Sequence, residues 1–177
     1  MPGIVIVSGC PGSGKTTLAR ALALARPQGL HLLSDTFYGF PAAPIDPTRP
    51  ESQHQNTVIM RALGRAAAAF AEGGYDVFLD GVIGPWFLPV LRAELSGPWP
   101  LAYLLLHVPE PEALRRVRER QGPGASAPVR HMVEAFDADP ELRAHRIETA
   151  GLAPAEVLAL AEEGLARGRF RLGAPHG

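Results

Sequence analysis

Lysine, asparagine and cysteine are nearly missing from this chain: Lys15, Asn56 and Cys10 are the single representatives of each. One cysteine excludes an intramolecular disulfide. Arginine supplies the other sixteen strong bases, and 17 basic against 18 acidic side chains leave a formal net charge of −1. That balance, with arginines interspersed among carboxylates, argues against a dedicated nucleic-acid surface. No apolar run is long enough to cross a bilayer, and no charged-then-apolar leader precedes the first strand. The expectation is a soluble cytoplasmic protein without a membrane partner. Internal repeats are absent as well. The bias toward Ala, Gly, Pro and Arg reads as codon composition and carries no function. The 177 residues suit one domain, 1–177, long enough to bury a full core without staples.

What is present is concentrated around that single lysine. Gly9-Cys10-Pro11-Gly12-Ser13-Gly14-Lys15-Thr16 fits G-x-x-x-x-G-K-[ST], the phosphate-binding P-loop. A chain that otherwise uses only arginine places its one compact ammonium where it must reach between nucleotide phosphates. The glycines let backbone N–H groups turn inward as an anion nest. The helix that follows, beginning near Thr17, adds its positive N-terminal dipole. Thr16 supplies a hydroxyl ligand for Mg²⁺. The context agrees: Gly3 to Ser8 is a short apolar strand, and Thr17 to Ala25 is strongly helical. Strand, glycine loop and helix is the arrangement the motif requires. The expected nucleotide-binding set is therefore Gly9, Cys10, Pro11, Gly12, Ser13, Gly14, Lys15, Thr16 and Thr17.

Apolar strand-like runs alternate with helical ones along the rest of the chain. Strands are predicted at 30–34, 75–80, 101–108 and 145–149, and helices at 51–72, 85–96, 111–120, 129–136 and 153–166. Four prolines between Phe40 and Pro50 forbid a regular helix or central strand there. A glycine- and proline-bearing loop covers 121–128, and the tail from Arg167 to Gly177 reads as a frayed, solvated end. Strands separated by helices imply right-handed crossovers and a parallel sheet covered on both faces, an α/β fold. Ligands in such sheets bind beyond the carboxyl ends of the strands.

The residues just after each strand therefore matter most. Asp35 follows the second strand, beside Tyr38, and is placed to accept the proton of a substrate hydroxyl attacking a γ-phosphate. The competing reading is a loop aspartate capping a turn. Asp80 ends the third strand, where a carboxylate serves the nucleotide's Mg²⁺; a solvated strand-end aspartate is the alternative. Trp86 and Phe87 either line an acceptor pocket or belong to the core. Arg115, Arg116, Arg118 and Arg120 share one helix; Arg116 and Arg120 stand four apart on one face and suit nucleotide contact. Arg115 and Arg118 read as a solvated basic face. Arg130 is placed to swing in as the loop closes and water is excluded. Gln53, His54, Gln55, Arg61 and Arg65 read as surface helix residues before they read as acceptor contacts.

With the Gly-Ser-Gly-Lys-Thr-Thr loop, Asp35 and Arg116-x-x-x-Arg120 ahead of a short lid, the chain resembles the small-molecule P-loop kinases. Shikimate kinase, gluconate kinase and chloramphenicol phosphotransferase belong to that group. The resemblance spans nearly the whole chain and implies a P-loop NTPase fold: five parallel strands in the order 2-3-1-4-5, helices on both faces, and a lid at about 121–130. It implies Mg²⁺-ATP as donor and a small hydroxylated acceptor. It makes Asp35 the acceptor-binding carboxylate, sets Arg116 against the adenine, and turns Arg120 toward the phosphates. Two departures from shikimate kinases stand out. Leu33-Ser34-Asp35 keeps only the last carboxylate of Asp-x-Asp, and Asp80-Gly81-Val82 replaces three glycines.

Catalysis is thus assigned to Lys15, Asp35 and Arg120. Nucleotide contact goes to the loop with Arg116 and Arg120, metal binding to Thr16 and Asp80, and acceptor contact to Asp35, Tyr38, Trp86 and Arg130. The leading function is transfer of the γ-phosphoryl group of ATP to a small-molecule hydroxyl. A nucleotide-dependent ATPase or switch stays open, although a guanine-specific switch would need an Asn-Lys-x-Asp that the chain lacks. A polynucleotide 5′-hydroxyl kinase also stays open, and the near-neutral charge argues against it. Monomer and homodimer are both compatible.

Overall fold

The central runs become strands buried on both faces, as parallel strands between helical layers must be, while the two edge strands are only partly covered. A computed structural model describes residues 3–122 and 127–173, leaving the side chains of 120, 121, 127 and 128 outside that description. The strands are β1 (Ile4–Gly9), β2 (Gly29–Leu33), β3 (Asp76–Asp80), β4 (Leu101–His107) and β5 (Arg146–Glu148). All four pairings are parallel and the order is β2-β3-β1-β4-β5, as the resemblance to small-molecule P-loop kinases implies.

Seven helices surround the sheet among the described residues: α1 (Lys15–Leu24), α2 (Ser34–Tyr38), α3 (Gln53–Glu72), α4 (Leu88–Ala93), α5 (Glu110–Gln121), α6 (Ala127–Ala138) and α7 (Pro154–Ala166). Alternation along the strands builds two cores. Ile4, Ile6, Leu79, Tyr103 and Leu105 pack against Leu63 of α3 and Leu91 of α4. Val7, Phe78, Leu104 and Leu106 pack against Leu18 and Leu22 of α1 and Ala161 of α7. A third cluster of Cys10, Val108, Ala113, Val117, Val129 and Val133 joins α5 and α6 beneath the P-loop. No helix among the described residues is long and apolar enough to cross a membrane.

Several local differences from the sequence reading have physical causes. The short α2 was not expected, because five residues carry too little periodicity to announce a helix. The helix predicted at 85–96 is confined to Leu88–Ala93, with Pro89 in its first turn, where proline starts a helix rather than interrupting it. The tail is not frayed over its described part. Since β5 has only three residues, the first half of β4 keeps an open edge. Residues 170–172 take it: Tyr103 N donates to the Phe170 carbonyl (2.9 Å), Leu172 N donates to Leu101 O (2.9 Å), and the Phe170 ring is fully buried. The proline-bearing segment is tied to α3 through Gln55, which bonds both backbone groups of Ile45 (2.9 and 2.8 Å), and through Asn56 Nδ2, which donates to Pro47 O (2.9 Å).

Candidate active site

The P-loop leaves β1 at Gly9 and enters α1 at Lys15. Two of its glycines meet different demands. Gly14 caps α1 with φ +93° and has open space where a Cβ would lie, so conformation alone requires glycine there. Gly12, at φ +85°, lies so close to α5 that a Cβ would sit 2.9 Å from the Ala113 carbonyl oxygen. Ser13 N donates to Cys10 O (3.2 Å), which tightens the turn. The half-buried Lys15 ammonium donates to the same carbonyl at 3.5 Å, so its charge lies across the loop. Burial pushes the Cys10 thiol pKa up despite the nearby ammonium. The Ser13 hydroxyl is buried and has no hydrogen-bond partner, a spare polar group in the wall of an anion cradle.

Helix α5 brings an arginine onto this loop. Arg116 donates through one terminal nitrogen to Gly12 O (3.2 Å) and through Nε to Glu112 Oε1 (2.8 Å). Glu112 also receives Arg115, and hydrogen bonds from the two guanidiniums hold its carboxyl down to about 2. Beside Arg116 opens a cavity of about 530 Å³. Gly12, Ser13, Thr17 and Arg116 line one side, and Thr149, Leu152, Pro154 and Leu158 line the other. Its size and mostly apolar wall suit a nucleoside moiety. Sequence reasoning missed the second wall, although the turn after the fifth strand satisfies the same rule that singled out Asp35 and Asp80.

The residues expected to serve the metal start from β3. Asp80 pairs in register with Val7 of β1 and Leu33 of β2, and its side chain is fully buried. His31 Nε2 lies 3.2 Å from Asp80 Oδ2, while Oδ1 has no partner. An orphaned carboxylate oxygen beside the strand that feeds the P-loop fits a hydrated magnesium ion, and Thr16, in the first turn of α1, is exposed. Among the described residues no group of three or more His, Cys, Asp or Glu side chains could hold a metal alone. These donors therefore fit an ion shared with nucleotide phosphates, the usual way magnesium is bound. The segment after Asp80 is pinned from below. Ser8 Oγ donates to Ile83 O and accepts from Ile83 N (both 3.0 Å), and the Tyr103 hydroxyl donates to Ile83 O (2.7 Å).

Of the residues expected to meet an acceptor, Asp35 is exposed in the first turn of α2, next to the buried Ser34. The Tyr38 hydroxyl is pushed up to about 12, by burial first and then by the Asp35 charge. Trp86 packs on Phe136 of α6 at 5.5 Å and keeps 38% of its surface exposed. Arg130 does not sit on the P-loop loop contacts shown by Arg116; its Nε donates to Glu110 at 2.8 Å, at the start of α5. Arg61 and Arg65 are both committed to Glu94 (2.7 and 2.8 Å). The Arg120 side chain, and residues 123–126 of the expected lid, lie outside the described residues.

Residues 5–137 match the family model described as an AAA domain. The chain belongs to this AAA-domain family. Thymidylate kinase of Xylella fastidiosa (strain 9a5c) is 30% identical over 138 residues, which cover 66% of this chain and 66% of that enzyme, just under two thirds of its length. The crystal structure of a sugar kinase from Janibacter sp. HTCC2649 superposes with a TM-score of 0.70 at 22% identity, covering 94% of this chain and 95% of that one. A gluconokinase from Sinorhizobium meliloti 1021 gives a TM-score of 0.63 at 22% identity, covering 94% and 93%. At that identity the two structures establish the fold of this AAA-domain protein. Family and fold agree with the small-molecule P-loop kinase resemblance carried by the loop, Asp35 and Arg116.

Proposed function

We propose that this protein transfers the γ-phosphoryl group of Mg²⁺-ATP to a hydroxyl group of a small molecule. The observation that carries the reading is the buried Asp80, its Oδ1 unclaimed, joined in register to the strand that ends in the Lys15 loop. Backbone N–H groups of the loop and Lys15 hold the β- and γ-phosphates, and the nucleoside lies in the cavity between Arg116 and Leu152. Thr16 and Asp80 hold magnesium, which when bound neutralises charge on the phosphates. Asp35 orients the acceptor and takes its hydroxyl proton as the new O–P bond forms and the bridging P–O bond to the β-phosphate breaks. Tyr38 and Trp86 border the acceptor. Arg116 and Arg120 offset charge on the transferring group. A role for Arg130 requires its ion pair with Glu110 to open, which costs little for an exposed pair.

The test is transfer of label from γ-labelled ATP, with magnesium, to sugars, nucleosides and aminoglycoside- or phenicol-like alcohols. The expected product is a phosphate ester on one acceptor class. Asp35→Asn should retain nucleotide affinity and slow transfer by about 10²–10⁴-fold. Hydrolysis with no ester on any acceptor, or near-normal turnover in Asp35→Asn, would refute the proposal.

A further inference from the structure

We infer that His31 is a positioning residue: it fixes Asp80 so that the second carboxylate oxygen faces the magnesium ion, an inference that rests on the phosphotransfer reading. Asp80 is fully buried, and a buried carboxylate is costly unless hydrogen bonds compensate it. Its register partners, Val7 and Leu33, are apolar and offer no side-chain donor. The imidazole of His31 supplies one, with the proton on Nε2 and Asp80 Oδ2 accepting at 3.2 Å.

The geometry follows from the sheet. His31 pairs with Phe78 in register, and Leu33 pairs with Asp80. Residues paired or two apart in parallel strands share a face, so His31 and Asp80 project from the same side of the sheet. Phe78 and Val7 share that side and pack against Leu18 and Leu22, so it is the side covered by α1, the helix that begins with Lys15 and Thr16. His31 stands two residues earlier along its strand than Leu33, and its ring reaches diagonally to Asp80. A carboxylate is planar, so anchoring Oδ2 also fixes where Oδ1 points. The imidazole keeps 23% of its side-chain surface exposed on the edge strand β2, while the Asp80 side chain it bonds is fully buried. Such outer partners of metal-facing groups change metal affinity by about 10–100-fold when removed.

Calorimetry with the non-hydrolysable analogue AMP-PNP, with magnesium or with EDTA, separates metal linkage from nucleotide binding. In the unaltered protein magnesium should tighten binding. His31→Leu should reduce that magnesium-dependent gain by about 10-fold or more, with the affinity in EDTA unchanged. His31→Gln, which carries an N–H donor at similar reach, should retain the gain within about 3-fold, again on the scale of outer-partner effects. In an Asp80→Asn background His31→Leu should add nothing, because the histidine acts through that carboxylate. If His31→Leu fails to fold, His31→Gln against the shorter His31→Asn carries the same comparison. Equal losses with magnesium and EDTA, an intact gain in His31→Leu, equal losses in the Gln and Asn variants, or additive losses in the Asp80→Asn background would overturn the inference. Absence of magnesium-linked binding in the unaltered protein would overturn the phosphotransfer reading with it, whereas an intact gain in His31→Leu removes only the role of His31.

Discussion

Replacing Gly12 by alanine tests whether the P-loop is shaped by its own backbone alone or also by the helix behind it. At φ +85° an alanine bears the cost of the left-handed region, about 1–2 kcal/mol. The added Cβ also lands 2.9 Å from the Ala113 carbonyl oxygen, 3.3 Å from Val117 Cγ2 and 3.4 Å from Arg116 Cβ. A backbone carbonyl cannot swing aside as a flexible side chain would, so the first turns of α5 must retreat by a few tenths of an ångström. That retreat disturbs the cluster of Cys10, Val108, Ala113 and Val117, and overpacking of this kind costs about 1–3 kcal/mol. The sum is about 2–5 kcal/mol. Gly14→Ala is the control, because φ is +93° and nothing lies within 4 Å of its Cβ position. It should show the conformational cost alone, about 1–2 kcal/mol.

The assay is thermal and urea unfolding of both variants without nucleotide. At about 2–4 °C per kcal/mol for a domain of this size, Gly12→Ala should lower Tm clearly more than Gly14→Ala. Calorimetry should also show weaker nucleotide binding in Gly12→Ala, since Arg116 is lifted with α5 from the Gly12 carbonyl it now contacts at 3.2 Å. Equal Tm losses in the two variants would refute the claim that α5 braces the loop.

Three further outcomes are expected. Leu152→Trp should fill the cavity opposite Arg116 and weaken nucleotide binding by about tenfold or more, or about 1.4 kcal/mol, with little change in Tm; calorimetry with AMP-PNP checks it. Phe170→Ala should cost about 3–5 kcal/mol in urea unfolding, because the ring is fully buried against α7, whereas a solvated tail would lose almost nothing. Glu112, held down to about 2 by its arginine hydrogen bonds, contributes stability above the ordinary carboxylate range and loses it as pH falls from about 4.3 toward 2. Glu112→Gln should therefore flatten the fall in urea midpoint between pH 5 and pH 2.5, and an unchanged slope would remove Glu112 from the acid response.

What the sequence revealed was local. Gly9 to Thr16 announces itself because eight consecutive residues carry both the nest and the cation, and the first four strands because each is a mostly apolar run, whereas the fifth has Ile147 alone between Arg146 and Glu148. The carboxylate at Asp80 was found by position alone, as the residue ending a strand beside the loop. Its buried state and its bond to His31 were not legible, since strand order alone does not give the register that pairs Leu33 with Asp80 and leaves His31 to reach across diagonally. The same holds for Arg130. Its helical neighbours suggest an arginine free to move, yet its partner Glu110 is 20 residues earlier, on another helix. The tail misled for a related reason: three arginines around Phe170 outweigh one ring in a composition reading, while the open edge of β4 is a property of the assembled sheet.

The two halves of the site are built to different standards, and this decides how their variants should be read. The P-loop and the segment after Asp80, proposed to hold the nucleotide and its metal, are packed from three directions: β4 lies in register beside Gly9 through Leu106, α5 presses on Gly12, and Ser8 with Tyr103 clamps the segment after Asp80. A substitution there perturbs core as well as ligand, so lost activity needs an unfolding measurement beside it. The part proposed to bind the acceptor is open. Asp35 is exposed and Trp86 keeps 38% of its surface. Substitutions of exposed side chains away from buried networks usually change stability by no more than about 0.5 kcal/mol. A loss of several orders of magnitude in Asp35→Asn would therefore report on proton transfer and acceptor binding and not on the fold, which makes that carboxylate the cleanest place to separate chemistry from architecture.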